Sequence, residues 1–217
     1  MEMRSMYHKK LKEIQDDVLV MGGMVGEAIL GSVEALKSRD LDQANQIVTG
    51  DKNVNDLRFR IEERCIQLIV TQQPIANELR IIIAVLNIIT EMERIGDYAV
   101  GIAKIAIMIG DEPPVKPLID IPKMADKAVD MLRRSFDAFL NKDAEAARQI
   151  CEEDDVVDNL YDQIYLELVD LMTKDPTIVS RATRLIWVAH DLERSADRVT
   201  NICERVIFVI TGKMEEM

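Results

Sequence analysis

The sequence predicts an all-α protein made of two tandem three-helix, up-down-up bundles related by a pseudo-twofold axis. Three observations carry that expectation. Apolar residues recur at three- and four-residue steps over long stretches, and no segment alternates with period two for long enough to make a strand. Prolines stand at the borders of these stretches. The chain also repeats itself. Glu93-Arg94-Ile95-Gly96-Asp97 returns as Glu193-Arg194-Ser195-Ala196-Asp197, an E-R-x-x-D shared 100 residues apart. Upstream the offset is 103: segment 40–44 returns as 143–147, and Asp51, Val54 and Asn55 return as Asp154, Val157 and Asp158. A duplicated unit should build two similar domains with two similar sites.

The first helix is expected over about 4–37. Leu11, Ile14, Val18, Met21, Val25, Ala28 and Ile29 form its apolar stripe. A turn at Ser38-Arg39-Asp40 follows. Asp40 is placed to cap the second helix, with Gln43 three residues on as its capping-box partner. That helix reaches about residue 71, and Pro74 separates it from a third over about 77–109, roughly 50 Å long at 1.5 Å per residue. Gly110, Pro113, Pro114, Pro117 and Pro122 mark the one proline-dense stretch. The second half repeats the pattern over 121–140, 143–173 and 177–210, with Pro176 in the place of Pro74. The domains are therefore 1–110 and 121–217, joined by a linker at 111–120. Short loops imply antiparallel neighbours.

Composition narrows the class. The 217 residues are 48% hydrophobic, enough for real cores, and only 4% aromatic. A net charge of −12 argues against nucleic acid and anionic membrane, and fits cations or basic protein surfaces. Cys65, Cys151 and Cys203 lie in helical patterns and read as reduced core thiols of a cytoplasmic protein. The first twelve residues are charged and lack the apolar core of a signal peptide. The most apolar run, 81–89, is far short of the ~20 residues that span a bilayer.

The chemistry lies in the acidic pairs. Residues four apart share a helix face, so Glu93 projects with Asp97, and Glu193 with Asp197. The second helix of each half adds its own pair: Asp51 with Asn55, and Asp154 with Asp158. In an antiparallel hairpin, residues equidistant from the turn lie level. Both first-half pairs centre on Pro74, and both second-half pairs centre beside Pro176. This predicts one patch of Asp51, Asn55, Glu93 and Asp97, and another of Asp154, Asp158, Glu193 and Asp197. Carboxylates gathered this closely repel one another, so a metal ion is the sharp reading. Oxygen ligands suit Mg, Mn, Ca or ferric iron, and zinc remains open. The plain alternative is a solvated acidic face balanced by Arg94 and Arg194. The first patch is the weaker, because Asn55 replaces a carboxylate and Lys104 stands where the second half has Glu204.

Other chemistry is poorly supplied. There is no glycine-rich phosphate loop, no C-x-x-C and no H-E-x-x-H. A ferritin-like di-iron site needs Glu-x-x-His on two helices, but Ser5 and Trp187 precede His8 and His190. Trp187 and the methionines read as core or partner surface.

The duplicated E-R-x-G/A-D, the acidic pairs on the second helices and the linker E-P-P-V-K-P-L-x-D-I-P at 112–122 together strongly resemble the PhoU family of phosphate transport and phosphate-signalling accessory proteins. The resemblance covers essentially the whole chain. It implies a cytoplasmic, non-enzymatic, dimeric regulator. It implies multinuclear iron or zinc on Asp51, Asn55, Glu93, Asp97, Asp154, Asp158, Glu193 and Asp197. It implies two partners, the ATPase subunit of the phosphate ABC transporter and the phosphate-sensing histidine kinase, and a negative role in the phosphate-starvation response. A paralogue acting as a metal-binding helical adaptor for another transporter or sensor would carry the same motifs.

Overall fold

The protein is seen in a computed structural model that describes residues 2–215. Met1, Glu216 and Met217, the outer ends of the two expected domains, lie outside the described residues. Helix α1 spans Glu2–Ser38, α2 Leu41–Gln72 and α3 Asn77–Ile109. The second half contains α4 Asp120–Asn141, α5 Ala144–Glu152, α6 Asp154–Lys174, a 3₁₀ turn Pro176–Ile178 and α7 Val179–Thr211. No strand occurs among the described residues. Within each half the helices pack on one another, and α3 lies along α7 where the halves meet.

The duplication extends to the turns. Arg39 (φ 61°) and Lys142 (φ 53°) are both left-handed. Just after them, the Asp40 N–H donates to Ala35 O at 3.0 Å and the Asp143 N–H to Ala138 O at 2.9 Å. This 6→1 bond closes a helix end whose last carbonyls would otherwise lack partners. Each aspartate then caps the next helix. Asp40 Oδ1 accepts from the Gln43 N–H at 2.9 Å, and Asp143 Oδ1 from the N–H groups of Glu145 and Ala146.

One expected helix is interrupted. Residues 143–173 read as continuous, yet the chain breaks at Glu153, between α5 and α6. Arg134 grips the Glu153 carboxylate with two nitrogens at 2.7 and 2.8 Å, and Lys127 bonds it as well. The Glu153 N–H turns to Ile150 O, three residues back, so the backbone tightens locally. In the first half the equivalent residue is Gly50, and α2 runs through it.

The two halves share a single core. Ile14, Val18, Met21 and Val25 of α1 join Ile88, Met92 and Ile95 of α3, and Val188, Leu192 and Val199 of α7, in one buried cluster. Eleven positions buried on α3, from Ile82 to Ala106, are buried on α7 exactly 100 residues later. The Phe136 ring of α4 lies where a side chain at Gly22 of α1 would sit, which brings these helices together. The proline-rich linker is held in place. The Arg181 guanidinium donates to Pro113 O at 2.9 Å and pairs with Glu112 at 3.2 Å. One segment, Met6–Ser38, is long and apolar enough to cross a membrane by length and composition, but half of that window is buried inside the protein. Its apolar stripe packs the core.

Candidate metal centre

The second patch forms on α6 and α7. Asp154 and Asp158 stand one turn apart at the start of α6, and Glu193 and Asp197 one turn apart on α7. All four sit close enough to act on one another. Burial and then the charges of Asp158, Asp197 and Glu193 push the Asp154 carboxyl up to about 7. Burial and Asp197 raise Asp158, and burial with Asp197 and Asp158 raises Glu193. Asp154 Oδ1 and Glu193 Oε2 are buried without a hydrogen-bond partner. Buried carboxylate oxygens are costly unless something neutralises them. Arg194 pairs with Asp197 at 3.4 Å and partly offsets the burial that raises Glu193.

The first patch, on α2 and α3, has the same layout with different chemistry. Asp51 and Asp97 act on each other, as their second-half equivalents do. The Asn55 amide, however, donates to Asp51 Oδ2 at 2.7 Å, where Asp158 would repel it. Lys104 lowers Asp51, against the desolvation that raises it. Glu93 is taken by Arg58 at 3.3 Å. The structure thus joins Asp51, Asn55 and Asp97, and turns Glu93 to a cation of its own chain.

Arg58 is the residue that motif reading missed. At its equivalent position, 103 residues on, stands Tyr161, which lies near Glu193. The repeat offset itself could have revealed this exchange. His190, beside the second patch, packs edge-on to Tyr161 with ring centroids 6.3 Å apart. The three cysteines are free and buried. Cys151 and Cys203, read as distant core thiols, meet across α5 and α7 within hydrogen-bonding reach.

Among the described residues, no three His, Cys, Asp or Glu side chains are drawn tightly enough to hold a metal ion. In the second patch a cation would have to pull splayed carboxylates inward. The donor set suits it: four carboxylates, two of them with orphaned buried oxygens.

Fold and site define a class: an all-α protein of two three-helix repeats, each with an acidic patch on its helix-two/helix-three hairpin. The PhoU domain model matches residues 18–106 and 121–206, one match per repeat. The chain belongs to the PhoU family. It is 36% identical over 215 residues to a phosphate-specific transport system accessory protein PhoU homolog of Clostridium acetobutylicum, covering 99% of this chain and 98% of that one. It is 31% identical over 207 residues to the phosphate-specific transport system accessory protein PhoU of Escherichia coli K12, covering 95% and 86%. The crystal structure of PhoU from Pseudomonas aeruginosa superposes with a TM-score of 0.90 at 31% identity, covering 95% of this chain and all of that one. That of the phosphate transport system regulatory protein PhoU from Streptococcus pneumoniae gives 0.91 at 27% identity, covering 97% and 100%.

Proposed function

We propose that this protein regulates phosphate uptake and phosphate signalling from the cytoplasm. It restrains the phosphate-starvation response together with the ATPase subunit of the phosphate ABC transporter and the phosphate-sensing histidine kinase. Family membership along both repeats supports the role, since its relatives are named as accessory proteins of a phosphate-specific transport system. The role is non-catalytic, and the working unit is a homodimer. Long helices with half-exposed apolar residues suit helix-in-groove partners.

The observation that carries the metal part is the pair of orphaned carboxylate oxygens of the second patch, Asp154 Oδ1 and Glu193 Oε2. Asp154, Asp158, Glu193 and Asp197 would hold iron or zinc, with magnesium or manganese as the harder alternatives. Asp51, Asn55, Glu93 and Asp97 would hold a second ion less firmly, because Arg58 and Lys104 already offset their charge. When bound, the metal supplies positive charge that fixes α6 against α7. The chain's own residues do the rest: Arg134 and Lys127 hold Glu153, and thereby set the angle at which α6 presents its acids.

The regulatory role is tested by deleting the gene and following an alkaline phosphatase reporter in high phosphate. We expect the reporter to become constitutively active and to be silenced when the gene is restored. A reporter that stays off rejects the negative-regulator role.

A further inference from the structure

The pseudo-twofold axis relates two grooves along the α3–α7 seam, and the two are not alike. In one, the chain fills its own groove. Glu91 Oε2 accepts from Arg198 Nη1 and Asn201 Nδ2, both at 3.3 Å. A turn or more away, the Arg80 guanidinium lies over the Phe208 ring, 5.5 Å from its centroid. One carboxylate, one aromatic face and two guanidiniums complete that groove.

The other groove keeps the carboxylate and loses what filled it. Asp191 replaces Glu91, Tyr98 replaces Arg198, Gly101 replaces Asn201, Ser180 replaces Arg80 and Met108 replaces Phe208. The result is a cleft of about 590 Å³, within the range of ligand sites. Asp191 lies at its floor, with Oδ2 so close to Gly101 that an added Cβ would stand 2.7 Å away. Trp187 forms a wall and is 65% exposed, so its ring face is open. Tyr98 is engaged by Arg194. Of the two cations at the rim, Arg184 donates to Met108 O at 2.7 Å, and Lys104 acts on Asp51.

We propose that this cleft receives the arginine side chain of a basic segment on a partner protein, its guanidinium against Asp191 and its plane on Trp187. The internal mate supports this occupant, because there the chain's own Arg198 meets the equivalent carboxylate, Glu91; Trp187, which stands where the first half has Asn87, adds an aromatic face that the mate lacks. A planar guanidinium both pairs with carboxylate and stacks on an aromatic ring, which an ammonium does less well. The net charge of −12 draws a basic partner.

Trp187 is the chain's single tryptophan, so its fluorescence reports on this cleft directly. The test is a titration of the full-length protein with acetyl-Ala-Arg-Ala-amide, with the matching lysine peptide alongside. We expect a saturable change in Trp187 emission and clearly weaker binding of the lysine peptide. Asp191→Asn should weaken arginine-peptide binding by about tenfold or more, the usual size for a hydrogen bond to a charged group. Tyr98→Arg, which restores the guanidinium that meets the carboxylate in the filled groove, should abolish it. Circular dichroism identifies which variant has folded, and either one alone suffices. No saturable change in the wild type overturns the proposal, as does undiminished binding in a folded variant or equal binding of the lysine peptide.

Discussion

The two acidic patches are copies of one design, and their difference is one of compensation. Both place an i, i+4 pair on the second helix level with an i, i+4 pair on the third. In the first, the Asn55 amide bonds Asp51, Arg58 pairs Glu93, and Asn55 and Lys104 partly offset the burial that raises Asp51. In the second, those positions are Asp158, Tyr161 and Glu204, and the carboxyls raise one another. A duplicated unit can keep its helices and its core while exchanging the residues that balance its charge. One copy then draws part of its compensation from its own chain, and the other keeps a surplus of carboxylate that the proposed cation would offset.

The comparison is broken most sharply at the second patch itself. Glu193→Ala with Asp197→Ala removes two of four donors. We expect metal affinity there to fall by more than about 100-fold, since loss of even an outer-shell partner costs about 10- to 100-fold. Elemental analysis reads the metal and circular dichroism the helix. Unchanged metal content, or a collapsed helical signal without metal loss, contradicts the assignment.

A smaller effect comes from converting one patch into the other. Asn55→Asp with Arg58→Tyr gives the first patch a fourth carboxylate and frees Glu93. Its affinity should rise by about tenfold, the equivalent of roughly 1.4 kcal/mol of added attraction. Calorimetry under limiting metal reads it, and no gain would sink the charge account.

The smallest effect is on stability against pH. Asp154 has a folded value of about 7 against an ordinary 3.8. The folded state therefore holds a proton that the unfolded state gives up. This contribution is complete below the ordinary value and is lost as pH rises through about 7. In chelator, Tm should fall between about pH 4 and pH 7, and Asp154→Asn should flatten that slope. Glu153, held near 2 by Arg134 against an ordinary 4.5, works the other way: its contribution is lost as pH falls from about 4.5 toward 2. The two windows separate. A wild-type slope that survives Asp154→Asn would assign the effect to another group.

Much of this was legible beforehand. Periodicity and proline placed the helices, and α3 falls on the expected 77–109. Counting from Pro74 and Pro176 put the acidic pairs level, because an antiparallel hairpin has a single register once its turn is located. Arg58 lies outside the E-R-x-x-D repeat, on α2, and meets Glu93 of α3 only once the hairpin closes. The break at Glu153 was illegible because its cause is a salt bridge to Arg134, on another helix.

The sequence by itself determined the helices apart from the break at Glu153, the capping aspartate Asp40, the duplication and the level of each acidic pair. These follow from local rules: the 3.6-residue period, the capping aspartate and the turn residues. Tertiary structure decided which charges meet. Arg58 reaches Glu93, Arg198 reaches Glu91, Cys151 meets Cys203, and the cleft beside Trp187 stays open where its mate is filled. Each of these depends on how two helices far apart in the chain cross. That crossing is set by core packing along whole helices, and no short stretch of residues encodes it.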